Sequence, residues 1–180
     1  MSIETIGYGN REIDEFLSLL RASETEFLVD VRSRPYSKFQ PAFSKDTLDS
    51  ILKTNEFKYL FLGDELGGTP DDKDCYFDNG KVNYAKCRLR KVYKMSIDRL
   101  VDADSKGYKL MLMCSELRPE SCHRCKLIAV DLEEAGIEVL HIDKDGSKIK
   151  QSSVLKRLTG GQMDLFGSPD EIGSSRKKYD

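Results

Sequence analysis

The sequence predicts an α/β protein: a mostly parallel sheet of about five strands with helices on both faces. Three observations lead there. Short apolar runs of strand length recur along the chain, stretches with apolar residues at helical spacing follow them, and glycine-bearing polar turns separate the two. At 39% hydrophobic and 33% charged, 180 residues suffice for one well-cored domain with a solvated surface, and they are short for two.

The elements follow in order. Ile3 to Ile6 reads as a strand ending at Gly7-Tyr-Gly-Asn10, and Ile13, Phe16, Leu17 and Leu20 then fall on one helical face. Phe27-Leu-Val-Asp-Val31 is a second strand, and Leu48, Ile51 and Leu52 mark a short helix. Tyr59-Leu-Phe-Leu62 is a third strand, closed by Gly63 and the Gly67-Gly68 pair. After a long loop, one helix is expected from about Asn83 to Ala103, then a strand at Leu110-Met-Leu-Met113. Leu127, Ile128, Val130 and Leu132 belong to a helix that stops at Gly136, a C-cap glycine, before a last strand at Ile137 to Ile142. The domain is expected to span 1–158. Residues 159–180, punctuated by Gly160-Gly161, Ser168-Pro169 and Gly173-Ser-Ser175, read as a flexible polar tail that does not pack.

Composition narrows the function classes. A net charge of −2 gives no global reason to bind polyanions, so any nucleic-acid contact must come from a local patch. The N-terminus lacks the basic flank and apolar run of a signal peptide, and no run approaches the roughly 18–20 apolar residues of a membrane span. Five cysteines are an odd number without the density of a disulfide framework, which points to a reducing cytoplasm.

In open parallel sheets, ligands bind beyond the carboxyl ends of the strands. Four polar clusters fall there: Gly7 to Asn10, Asp30 to Pro35, Gly63 to Gly68, and Cys114 to Arg124. In the last of these, Cys114 leaves a buried strand and a helix begins near Pro119 to Ser121. Helix N-terminal amides attract anions and lower a nearby thiol's pKa. Arg124 in that first turn suits a phosphate or carboxylate, and Glu116 and His123 offer proton-transfer groups. A plainer reading makes Cys114 a buried strand-end residue. Cys122-His-Arg-Cys125 contains one C-x-x-C, and metal held through Cys114, Cys122, Cys125 and His123 is a minority reading; four-ligand zinc sites usually use two separated pairs, so no metal is assigned. His141 is read as a locally satisfied strand residue.

Asp30-Val-Arg32 after one strand and Cys114 after a later one resemble the rhodanese pattern, which would imply sulfur transfer through a persulfide. The loop here is longer, however, and carries Glu116, Arg118 and Glu120, of which the two glutamates disfavour an anionic donor. The cysteine-x5-arginine pattern of tyrosine phosphatases fails too, because the sixth residue after Cys114 is Glu120.

Four segments together resemble a further family: Thr5-Ile-Gly-Tyr-Gly-Asn-Arg-Glu-Ile-Asp-Glu-Phe16, Val29-Asp-Val-Arg-Ser-Arg-Pro35, Leu66-Gly-Gly-Thr-Pro70 and Met113-Cys-Ser-Glu-Leu-Arg-Pro-Glu-Ser-Cys-His-Arg124. They are similar to family 488 of the domains of unknown function, in the right order from about residue 3 to 145. The resemblance implies a Rossmann-like three-layer domain and brings no established reaction or cofactor. It places the family's polar signature on Asn10, Asp30, Arg32, Arg34, Gly67, Gly68, Cys114, Glu116, Cys122, His123 and Arg124. Where the family often carries His-Ser, this chain has Tyr8-Gly9, so a histidine role there cannot be general to this member.

Three outlying features bear on partners. Arg32, Arg34 and Lys38 cluster with Tyr36, Phe39 and Phe43, a mixture suited to phosphate or an unstacked base, or equally to a loop packed by its aromatics. The helix after Asn83 carries Lys86, Arg88, Arg90, Lys91, Lys94 and Arg99, which a solvated face explains more often than nucleic acid does. Gln162-Met-Asp-Leu-Phe166 resembles the Gln-x-x-Leu-Phe peptide that docks on the bacterial sliding clamp, with Leu165 and Phe166 as anchors and Gln162 as hook. The leading expectation is an enzyme acting on a phosphate-containing or nucleic-acid substrate, with Cys114, Glu116, His123 and Arg124 catalytic. Asn10, Asp30, Arg32, Arg34, Gly67, Gly68 and Cys122 would bind the substrate. A non-catalytic nucleic-acid adaptor and a sulfurtransferase are the other two readings.

Overall fold

The computed structural model describes residues 2–159 and 173–179. Strand β1 (Ser2–Gly7) leads to helix α1 (Ile13–Ala22), and β2 (Phe27–Asp30) to α2 (Lys45–Thr54), β3 (Lys58–Phe61) and the short α3 (Gly63–Leu66). There follow β4 (Lys81–Asn83), α4 (Tyr84–Leu89), α5 (Lys91–Ser105), β5 (Leu110–Cys114), α6 (Ala129–Glu134), β6 (Glu138–Ile142), β7 (Lys148–Lys150), α7 (Gln151–Leu158) and β8 (Ser174–Lys178). The main sheet runs β3-β2-β5-β1-β6-β7. All its pairings are parallel except β6 with β7. The expected α/β architecture is therefore present, with one strand more than the apolar runs announce. β7 is Lys148-Ile-Lys150, a charged edge strand with no apolar run to mark it.

Alternation along the strands divides the core in two. Leu110, Leu112 and Cys114 face one side with Ile3, Val29 and Val139, where Tyr93, Ile97 and Leu100 of α5 and Leu132 of α6 cover them. Met111 and Met113 face the other side with Ile6 and Leu28, under Phe16, Leu17 and Leu20 of α1 and Leu48 and Leu52 of α2. Every residue of β5 is buried, as expected for a central strand covered on both faces.

Two expectations need correction. The helix expected from Asn83 to Ala103 is two helices, broken at Arg90, whose backbone is extended at φ −63° and ψ 130°. No glycine or proline marks the break, so periodicity alone reads through it. The tail, expected not to pack, returns to the body at its far end: Ser174–Lys178 pairs antiparallel with β4. Ser175 Oγ accepts from the Val82 amide at 2.9 Å, and the Tyr179 amide donates to the Gly80 carbonyl at 2.7 Å. Main-chain bonds and the Ser175 hydroxyl hold this strand, and its composition does not report them. Gln162, Leu165 and Phe166 lie outside the described residues.

Candidate functional site

The carboxyl ends of β2 and β5 open into a cavity of about 540 Å³. Cys114, Cys122 and His123 line it with Arg32, Arg34, Gly68 and Glu116; β8 forms another wall through Arg176, Lys177 and Lys178. Tyr76, Tyr84 and Tyr179 add aromatic surface. The size falls within the usual range for small-ligand sites.

Cys114 is the last residue of β5 and is only 4% exposed. Beyond it the chain crosses a 3-10 turn at Pro119–Ser121 and enters a π-helical turn at Arg124–Ile128. Such widened turns recur at functional sites. The detour brings Cys122 and His123 back to Cys114. His123 Nδ1 lies 3.6 Å from Cys122 Sγ and 3.9 Å from Cys114 Sγ. His123 Nε2 is 2.9 Å from the Val31 carbonyl oxygen, which only accepts. Nε2 therefore carries the proton and donates, and in the neutral ring Nδ1 turns its lone pair to the thiols.

The two thiols differ. A hydrogen bond from the Cys122 thiol holds Cys114 well below the usual thiol range, against the opposing cost of burial. Burial pushes Cys122 well up, and the neighbouring Cys114 adds to the rise. Of the pair, Cys114 is the more acidic thiol.

Two glycines let the chain close over this floor. A Cβ on Gly68 would lie 2.7 Å from His123 Nδ1, so the Gly67-Gly68 turn passes against the imidazole only because Gly68 has no side chain. A Cβ on Gly7 would sit 1.8 Å from the Glu116 carbonyl oxygen, so the end of β1 admits the loop after Cys114 for the same reason.

The arginines expected to grip an anion divide. Arg124 is fully buried, does not line the cavity, and hydrogen-bonds the Glu116 and Leu117 carbonyls at 3.1 and 3.0 Å and Thr5 Oγ1 at 3.2 Å. It fixes the loop over the floor; the expectation of an anion clamp there is corrected by its burial. Behind it runs a directed chain: Thr5 donates to His141 Nδ1 at 2.6 Å, His141 Nε2 donates to Gln151 Oε1 at 2.7 Å, and Gln151 Nε2 donates to the Cys125 carbonyl at 2.9 Å. His141 thus has its local partners, and burial foremost lowers its pKa to about 3.

Arg32 is also spent. It bonds Asp30 through Nε at 2.9 Å and Nη2 at 2.6 Å, and the Phe43 carbonyl through Nη1 at 2.8 Å. Burial works against its charge, but Asp30 outweighs it and the pKa rises. Asp30 is itself fully buried, holding Arg32 and the Tyr59 hydroxyl, so it supports the wall and does not line it. Gly67 packs against Gly63 and Ser33 behind Gly68, and Asn10 is exposed on the turn after β1; neither lines the cavity.

Glu116 is half-buried on the rim, with Arg176 Nη2 at 3.8 Å and Lys177 Nζ at 4.0 Å. With Arg32 neutralised, Arg34, Lys73, Arg176, Lys177 and Lys178 face Asp71 and Glu116, an excess of positive charge. Sequence reasoning missed Lys73, Tyr76, Tyr84 and the whole β8 contribution. Lys73, Tyr76 and β8 lie in the long loop and the tail, where no periodicity points inward, and Tyr84 opens α4. Within the basic helices, Arg88 pairs with Asp131 at 2.9 Å and Arg90 reaches the Glu65 carbonyl at 3.3 Å, so part of that patch serves packing.

No curated protein and no solved structure matches the chain. A family model described as domain of unknown function DUF488 matches residues 12–130, which include the polar ends of β2 and β5 and the Gly67-Gly68 turn. That match covers well over half of the 180 residues and carries Cys114, Cys122 and His123 within it, so the chain belongs to the DUF488 family.

Proposed function

We propose that the protein is an enzyme acting on a phosphate-containing or nucleic-acid substrate, with Cys114, Cys122 and His123 as the reacting centre. The observation that carries this reading is the placement of that buried cluster at the floor of a cavity rimmed by Arg34, Lys73, Arg176, Lys177 and Lys178. A rim with excess cations grips phosphate oxygens, and the tyrosines supply faces for a ring or base. Glu116 is the rim's proton-transfer group. All five cysteines are free, which suits a reducing cytoplasm.

The test is turnover of a panel of phosphomonoesters, nucleotides and short oligonucleotides by the wild type and by Cys114→Ser. The expected loss is at least about 100-fold, the scale for removing a group that acts in the transition state. Equal turnover by the two proteins would sink the assignment.

Two observations favour the other readings. Tyr36 and Phe39 are 74% and 92% exposed beside Arg34 and Lys38, a surface on which unstacked bases could rest in a nucleic-acid adaptor. That reading extends to Gln162, Leu165 and Phe166 as a sliding-clamp peptide tying the protein to DNA repair, and it requires a peptide of residues 159–170 to bind a bacterial clamp. The adjacent thiols suit sulfur transfer, in which Cys114 takes the outer sulfur of thiosulfate and releases sulfite; a persulfide mass on Cys114 would establish that course.

A further inference from the structure

We infer that Cys114 Sγ, Cys122 Sγ and His123 Nδ1 form a three-ligand site for a zinc-type divalent cation, its fourth position open to the cavity. The three atoms lie within 4.8 Å of one another, all on buried residues. Their spacing is long for thiol–imidazole hydrogen bonds but suits the edges of a coordination tetrahedron. With zinc–sulfur bonds of about 2.3 Å and zinc–nitrogen bonds of about 2.05 Å, a tetrahedral sulfur–nitrogen edge is about 3.6 Å. The two edges here are 3.6 and 3.9 Å.

The surroundings fit as well. Metal-ligating histidines usually give their other ring N–H to a carbonyl or carboxylate, which fixes the tautomer and aims the lone pair. His123 does this through Val31. Two thiolates cancel the charge of a divalent ion, so the buried site carries no net charge. Among the described residues no further His, Cys, Asp or Glu joins the cluster. Cys125, the other cysteine of the C-x-x-C, stands outside it. Two cysteines and one histidine with an open position is the composition of a catalytic zinc site, whereas structural sites are closed by a fourth protein ligand.

The sequence lacks the two separated pairs usual in zinc sites; here the 3-10 turn at Pro119–Ser121 leads the adjacent residues Cys122 and His123, just ahead of the π-helical turn, back to Cys114. The role of the ion rests on the enzyme reading above. In the open position it would polarise a phosphoryl oxygen or a water held under the basic rim. Occupancy of the site does not depend on that reading.

The experiment uses the full chain, freed of metal by a chelator under reducing conditions and titrated with cobalt(II), then with zinc. The expected result is about one cobalt per chain, with thiolate-to-cobalt charge-transfer absorption and intense tetrahedral visible bands that zinc abolishes. Cys114→Ser and Cys122→Ser should each weaken binding by at least about 100-fold, beyond the roughly 10–100-fold that losing an outer-shell partner costs. Cys125→Ala should leave the spectrum unchanged. Absence of those bands in the wild type, their survival in both serine variants, or their loss in Cys125→Ala would overturn the site. A zinc-binding protein that turns over no phosphate-containing substrate would overturn the enzyme reading alone. Full turnover by a protein that yields no cobalt spectrum would overturn the metal alone.

Discussion

His123 donates from Nε2 to the Val31 carbonyl at 2.9 Å, and this one bond sets what the opposite nitrogen can do. It ties the turn after β5 to the end of β2 and leaves Nδ1 facing two sulfurs. His123→Gln offers Val31 a replacement donor, while His123→Phe strands the carbonyl. The phenylalanine variant should therefore be less stable by roughly 1–3 kcal/mol, the cost of an unsatisfied buried acceptor. Urea unfolding of the two proteins reads the difference; equal midpoints would mean that the Val31 bond contributes nothing.

Gly68→Ala places a methyl against the His123 ring, 2.7 Å from Nδ1. The turn or the ring must shift, at about 1–3 kcal/mol by the usual cost of overpacking. The expected outcome is a folded protein whose cobalt or substrate binding is impaired far more than its thermal stability. Binding indistinguishable from wild type would show that the turn yields without disturbing His123.

Arg124→Met removes a buried guanidinium whose donors hold the Glu116 and Leu117 carbonyls and Thr5. The loss should be about 3 kcal/mol, since it leaves several buried acceptors without their partner. Arg124→Lys should recover little, because an ammonium cannot reproduce the planar fork. Denaturant unfolding checks both, and full rescue by lysine would contradict the forked arrangement.

His141 gives a pH signature. Its folded pKa is depressed to about 3 from an ordinary 6.5, by burial first and by the Arg124 charge next. Below about pH 6.5 the unfolded chain takes up a proton that the folded one refuses, so stability falls as pH drops toward 3. The slope approaches roughly 1.4 kcal/mol per pH unit. Between about pH 6.5 and 5, above the range of ordinary carboxylates, His141→Gln should flatten the slope measured by chemical unfolding. An unchanged slope in that window would place its origin elsewhere.

The fold was legible wherever burial imposes a pattern. Leu110-Met-Leu-Met113 reads as a central strand because both its faces meet apolar layers. The convergence of Cys114, Cys122, His123, Arg34 and Gly68 followed from the rule that strand ends in a parallel sheet share an edge. The roles of the arginines were not legible. Nothing in the sequence distinguishes Arg34 on the cavity wall from Arg124, which is buried under carbonyls, or Arg32, which is bound to Asp30 two residues away. Nor could composition show that Ser174–Lys178 returns to β4, since backbone hydrogen bonds carry that pairing.

The most direct measurement is equilibrium binding of a fluorescent mononucleotide and of a short single-stranded oligonucleotide across a salt series. It compares the wild type with Arg34→Glu/Lys73→Glu, two exposed rim positions. The wild type is expected to bind at least one of these ligands with an affinity that falls as salt rises, and the double variant to lose about tenfold or more with a shallower salt slope. Binding that is absent from the wild type, or equal in the two proteins at every salt concentration, would contradict a phosphate-holding rim above Cys114.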